Sequence, residues 1–268
     1  MRIGDLYFEV VGHGPPLLLL HGFTGSLRSF DLVRSALASA NRLILVDLIG
    51  HGQSASPADV ARYSMESCVS DVLAVLDALS FERANVLGYS MGGRVALCLA
   101  TIAPERVQTL LLESASPGIE DPAARAARAT ADDALAARIE RHGIAAFVSE
   151  WEAQPLLALA ENVPIDVRQA RHDQRLRNNP HGLANSLRGM GTGRQPSLWD
   201  RLPHLEVPTR LLVGERDNRF RDICRRMRER LPHAELTVCP GSGHTVHLDR
   251  PADFIDWSRQ LTTSAIDC

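Results

Sequence analysis

The chain has 268 residues, 45% of them hydrophobic, enough to bury a substantial core as one α/β domain carrying an insertion. Its formal net charge of −3 lacks the basic excess by which proteins hold nucleic acid or an anionic membrane, so neither partner is expected. All 29 basic residues are arginine, which rules out Schiff-base chemistry, a pyridoxal-phosphate lysine and a Walker-type P-loop.

Residues 1–5 carry no basic region followed by an apolar run, and residues 17–20 are too short to span a bilayer, so a soluble, cytoplasmic protein is expected. Residues 6–11 alternate like an edge strand, and residues 12–16 break it. Residues 17–20, all leucine, read as a fully buried strand ending at His21-Gly22-Phe23-Thr24-Gly25, a loop whose backbone N–H groups can approach a ligand closely. A helix is predicted over 27–37 and a strand over 43–47, closing on Asp47-Leu48-Ile49-Gly50-His51-Gly52. Val69, Val72, Leu73 and Leu76 then mark one buried helix face. A further strand is predicted over 107–112, ending in Glu113-Ser114-Ala115-Ser116-Pro117-Gly118. Strands separated by helices of this length imply right-handed βαβ units, a mostly parallel sheet, and function at the carboxyl ends of its strands.

From 119 to 202 the alternation stops and helical patterns take over. Asp121-Pro122 is an N-cap and N1 pair, Gly143 a C′ stop, and further helices are expected over 144–152, 164–177 and 182–190. This reads as a helical cap, residues 119–202, inserted after one strand of a core made of 1–118 and 203–268. Its acidic residues balance its arginines, so it is no polyanion-binding surface. The sheet resumes over 209–213 and 235–239, and a last helix is expected over 253–261. The five cysteines (Cys68, Cys98, Cys224, Cys239, Cys268) form no C-x-x-C pair; disulfides and a thiolate metal site are not expected, and Cys98 reads as a small buried thiol.

Between the strand at Val86-Leu87 and a helical pattern through Val95 and Leu99 stands Gly88-Tyr89-Ser90-Met91-Gly92. This is the context of a nucleophile elbow, whose glycines relieve crowding while the serine is held above the sheet at a helix N-terminus. Asp217 follows a later strand and His244 the last, in the order Ser, Asp, His. In this reading Asp217 fixes the tautomer of His244, His244 accepts the Ser90 proton, and the backbone N–H groups of Phe23 and Met91 form an oxyanion hole. His21, His51 and His247 compete with His244; the first two sit beside glycines, where a histidine hydrogen-bonded to the backbone is expected. Arg94, one turn along the elbow helix from Ser90, can put a planar fork into the same cleft, which suits a carboxylate substrate rather than a neutral ester. Arg125, Arg128 and Arg175 can add clamps, whereas Arg138, Arg141, Arg168 and Arg171, and the arginines between 221 and 230, read as solvated helix faces.

On these motifs, together with the cap run Gly189-Met190-Gly191-Thr192-Gly193-Arg194-Gln195-Pro196-Ser197-Leu198-Trp199, the chain closely resembles the 2-succinyl-6-hydroxy-2,4-cyclohexadiene-1-carboxylate synthases of menaquinone biosynthesis over nearly its whole length. The resemblance implies the α/β-hydrolase fold and a cofactor-free, metal-free lyase reaction. In it a small tricarboxylate, 2-succinyl-5-enolpyruvyl-6-hydroxy-3-cyclohexene-1-carboxylate, loses a ring proton to Ser90 and eliminates pyruvate. By motif position it puts anion binding on Arg94, Arg128 and Arg175, with Tyr89 and Trp151 lining the pocket. Arg219 stands where many members carry lysine, and Gly243-His244-Thr245-Val246-His247-Leu248-Asp249 ends in Asp where the family pattern has Glu. Two other readings share these residues: an ester or carbon–carbon bond hydrolase that forms an acyl-enzyme on Ser90, and a receptor that binds without turnover. The oligomeric state stays open, a monomer being compatible with everything above.

Overall fold

The computed structural model describes residues 1–259. Strands β1 (Arg2–Ile3), β2 (Leu6–Val11), β3 (Pro16–Leu20), β4 (Arg42–Asp47), β5 (Ala84–Tyr89), β6 (Val107–Glu113), β7 (Thr209–Gly214) and β8 (Ala234–Cys239) pair into one sheet in the order β1-β2-β4-β3-β5-β6-β7-β8. β2 runs antiparallel to both its neighbours and every other pairing is parallel. The expected edge position of residues 6–11 is therefore corrected. The two-residue β1, too short to show a periodicity, covers that edge.

Period-two alternation explains the leucine run of β3. Leu18 and Leu20 enter one core layer, Leu17 and Leu19 the other. Helices α1 (Asp31–Ala38) and α9 (Pro251–Arg259) cover the second face, and α2 (Met65–Ala78), α3 (Met91–Ile102) and α7 (Asn218–Arg230) the first. The helix expected over 27–37 begins instead as a 3₁₀ turn, Leu27–Phe30, whose cap Ser26 accepts the Arg28 N–H. The last helix is described as far as Arg259; Leu261, at its expected end, and Cys268 lie outside the described residues.

Between β6 and β7 the chain forms α4 (Pro122–Glu152), α5 (Ile165–Leu176) and α6 (Pro180–Met190), around an apolar cluster of their own that includes Ile139, Phe147, Val148 and Leu183. Gly143, expected as a stop, is a kink: at φ 79° and ψ 175° it breaks the helical geometry, and the helix resumes beyond it. A short helix α8 (Val246–Asp249) follows β8. No described helix is long and apolar enough to cross a membrane.

β3 is flanked by β4 on one side and β5 on the other, so the chain winds outward in both directions from this pair. Ligands of open α/β sheets bind in the crevice outside such a switch point. Here that crevice lies between the loop after Leu20 and the turn after Tyr89.

Candidate active site

The turn after β5 is tight by construction. Ser90 has φ 51° and ψ −108°, a strained conformation for a residue with a side chain, and its N–H donates to the Glu113 carbonyl at 2.9 Å. A Cβ on Gly92 would lie 2.1 Å from the Leu20 carbonyl oxygen, and one on Gly88 2.4 Å from that of Gly92. Glycine at both positions is thus what lets α3 dock across the ends of β3 and β5.

Three side chains from distant parts of the chain meet here. His244 Nε2 lies 3.0 Å from Ser90 Oγ, and His244 Nδ1 lies 2.6 Å from Asp217 Oδ2. Asp217 caps α7, its Oδ1 accepting the Phe220 N–H at 3.2 Å, so the carboxylate is fixed before it meets the histidine. Both Asp217 and His244 are buried. The competing histidines are committed elsewhere. His247 donates from Nδ1 to Glu113 Oε2 at 2.7 Å, and its backbone N–H meets Oε1 at 3.0 Å. His21 donates from Nδ1 to the Gly22 carbonyl and accepts the Leu48 N–H on Nε2, while His51 donates from Nδ1 to the Ile49 carbonyl. Burial pushes the pKa of His21 down to about 4 and that of His51 down to about 3, so both are neutral near pH 7.

A cavity of about 660 Å³ opens in front of Ser90. Phe23, Met91, Tyr89, Arg94, Arg128, Trp151, Arg175 and His244 all contribute to its wall, and Asp217 stands behind His244. Phe23 stacks edge-on against Trp151, whose buried Nε1–H finds no hydrogen-bond partner among the described residues. The Tyr89 hydroxyl is hydrogen-bonded to Thr245 Oγ1 at 2.8 Å, and burial raises its pKa to about 12.

The arginines differ in how their charge is met. Arg128 pairs with Asp132 at 2.8 Å and Arg175 with Glu152 at 2.9 Å. Arg94 is buried and has no carboxylate partner among the described residues; its Nη1 donates to the Met190 carbonyl at 2.7 Å and to Gln195 Oε1 at 3.0 Å. Burial, then the charge of Arg128, lowers its pKa to about 10. Both acceptors belong to the cap segment 189–199. That segment packs closely enough that a Cβ on Gly193 would lie 2.2 Å from the Ala129 nitrogen.

Several expectations are corrected. Arg125 lies off the cavity and donates to the Ile119 carbonyl. Arg171 is not a solvated residue: it lines the cavity, a role signalled by its i, i+4 spacing from Arg175. Arg168 donates to the Val163 and Ala160 carbonyls, bracing the loop before α5. Arg226 and Arg230 stack on Trp199 with centroid distances of 4.1 and 4.9 Å and pair with Glu120, so that part of the arginine cluster joins α7 to the cap. Asp249, the last residue of the His244 motif, holds two loops together. Its carboxylate accepts the Ala160 N–H and the Gly243 N–H, each at 2.7 Å, tying the cap loop to the residue before His244. The described cysteines are free and buried, with the Cys98 thiol pushed up to about 11. No group of three or more His, Cys, Asp or Glu among the described residues could hold a metal ion.

The model of the alpha/beta hydrolase fold family matches residues 15–251. Over 92% of its length the chain is 41% identical to the putative 2-succinyl-6-hydroxy-2,4-cyclohexadiene-1-carboxylate synthase of Bacillus subtilis, covering 91% of that protein. Among solved structures, MenH from S. aureus superposes with a TM-score of 0.91 at 32% identity, over 97% of this chain and 98% of that one. A thermophilic esterase from Thermogutta terrifontis, solved with malate bound, gives a TM-score of 0.84 at 28% identity, over 96% and 94%.

Proposed function

The chain belongs to the 2-succinyl-6-hydroxy-2,4-cyclohexadiene-1-carboxylate synthases of the alpha/beta hydrolase fold, and from that premise we propose that Ser90, His244 and Asp217 drive its lyase reaction by proton abstraction from carbon. The observation that carries this reading is the pairing of the hydrogen-bonded Ser90–His244–Asp217 line with Arg94, a buried cation that has no acid partner among the described residues, in one cavity. An esterase shares the fold, so the sheet alone does not separate elimination from hydrolysis. A buried guanidinium with no acid partner among the described residues supports an anionic substrate over a neutral ester, because it is costly until an anion arrives to pair with it.

In the proposed reaction the substrate, 2-succinyl-5-enolpyruvyl-6-hydroxy-3-cyclohexene-1-carboxylate, enters beneath a cap formed by residues 119–202, over a core of 1–118 and 203–268. Arg94, Arg128 and Arg175 hold its carboxylates, and Tyr89 and Trp151 pack beside the ring. Ser90 Oγ takes the ring proton while its own proton passes to His244 Nε2, and the imidazolium is stabilised by Asp217. The C2–H electron pair forms the C2=C3 double bond, the existing C3=C4 pair moves to C4=C5, and the bond from C5 to the enolpyruvyl oxygen breaks. That oxygen takes a proton from His244, and the released enol converts to pyruvate. Enolate charge on the succinyl ketone meets the Phe23 and Met91 N–H groups. No metal or cofactor enters the scheme.

Pyruvate release from freshly generated substrate, coupled to lactate dehydrogenase, tests this with Ser90→Ala alongside the parent. Release above the spontaneous rate that Ser90→Ala loses is the expected result. Release that survives the substitution refutes the role of Ser90. An acyl-enzyme seen by intact mass during turnover would favour the hydrolase.

A further inference from the structure

Arg171 lies on α5 one turn before Arg175, and both reach the wall of the cavity. Two guanidinium groups at this spacing repel, and the protein answers only one of them. Arg175 donates to Glu152 Oε1, and His172 Nδ1 sits 2.8 Å from the other oxygen of the same carboxylate. Arg171 makes no ion pair among the described residues; its Nη1 donates to the neutral Leu157 carbonyl at 3.2 Å. The groups that set its electrostatic environment are Arg175, Tyr89, Glu152 and Asp249. Neither acid is free to serve it. Glu152 is engaged by Arg175 and His172, and Asp249 by two backbone N–H groups. Burial, reinforced by Arg175, lowers the pKa of Arg171 to about 10, which still leaves it a cation at neutral pH. Tyr89, the neighbour of Ser90, places this cation on the side of the cavity where Thr245 follows His244.

Resting on the synthase reading, we infer that Arg171 is a fourth anion-binding residue of the cavity, receiving a substrate carboxylate on the Tyr89 side. Glu152 meanwhile keeps half of the Arg175 fork engaged. Arg94, beneath the run 189–199, and Arg171, on α5, thus both face the cavity without an acid partner among the described residues. Placed on different elements of the wall, the two favour substrates with more than one carboxylate over simple monocarboxylates.

The test uses Arg171→Gln and Arg171→Met, two uncharged replacements of different shape, so that one remains informative if the other does not fold. Pyruvate release gives KM and kcat, and calorimetric titration with 2-succinylbenzoate, a stable aromatic dicarboxylate, gives a Kd independent of turnover. Loss of a charge-assisted pair should raise KM, Kd or both by about 10- to 100-fold, with kcat changed by no more than about threefold. A KM and a Kd both within about twofold of the parent would overturn the assignment, as would a loss confined to kcat. The two readings fail separately. A parent protein that binds the dicarboxylate through Arg171 but releases no pyruvate refutes the synthase reaction and leaves Arg171 in place.

Discussion

Replacing Arg94 by methionine should cripple the enzyme at no more than a modest cost in stability. Holding the Arg94 pKa down from 12.5 to about 10 costs the folded protein roughly 3 kcal/mol at neutral pH. The sign follows from linkage: the unfolded chain binds this proton more tightly, so the penalty is full below about pH 10 and fades only between there and 12.5. Methionine removes that penalty but strands two acceptors, the Met190 carbonyl and Gln195 Oε1, at roughly 1–3 kcal/mol each. The opposing contributions largely offset each other, leaving a net loss of no more than about 3 kcal/mol. For 268 residues an unfolding entropy of about 0.6 kcal/mol per degree turns this into a Tm loss of no more than about 5 °C. The substrate carboxylate loses its buried partner, so kcat/KM should fall by roughly 2–4 kcal/mol, about 30- to 1000-fold. Scanning calorimetry and coupled pyruvate release on the same preparation check both halves. A Tm loss beyond about 5 °C would make Arg94 a structural residue, and an unchanged kcat/KM would remove it from substrate binding.

Asp249→Ala should behave oppositely, because it leaves the Ala160 and Gly243 N–H groups buried without acceptors. At roughly 1–3 kcal/mol each, the loss amounts to a Tm drop of about 4–10 °C; a drop under about 1 °C would mean that this clasp holds nothing. Stability should also fall steeply on the acid side. The folded pKa values of His21 and His51, about 4 and about 3, lie below the ordinary 6.5, so their contribution is complete above pH 6.5 and is lost as pH falls from there. Tm followed from pH 8 to pH 4 should show this slope, and His51→Leu should flatten it. An equal slope in the variant would assign the acid loss to other groups.

What the sequence made legible was whatever depends on neighbours in the chain. The leucine run of β3, the glycines around Ser90 and the Asp121-Pro122 cap each carry their structural reason within a few residues. β1 escaped because two residues cannot show a period, and the 3₁₀ turn at 27–30 because a Ser26 cap permits either helix type. Within the site, Ser90, Asp217 and His244 could be placed from strand ends and order alone. Which arginines are answered by acids could not. Arg175 meets Glu152 from 23 residues away, and Arg94 reaches Gln195 across 101. Such pairings are set by how the segment between β6 and β7 folds back over the sheet. The same geometry turned Arg171, Arg226 and Arg230 from expected solvated residues into a cavity cation and a clasp on Trp199.

The line from Asp217 through His244 to Ser90 also has a meaning in time. Ser90 and His244 are 154 residues apart, and His244 follows β8, the strand that closes one edge of the sheet. A chain emerging from the ribosome carries β3, β5 and the turn after β5 long before it carries His244. Contacts of such long range form late in folding. With Ser90 acting through His244 as proposed, the hydroxyl is therefore activated only once the segment after the final strand has docked.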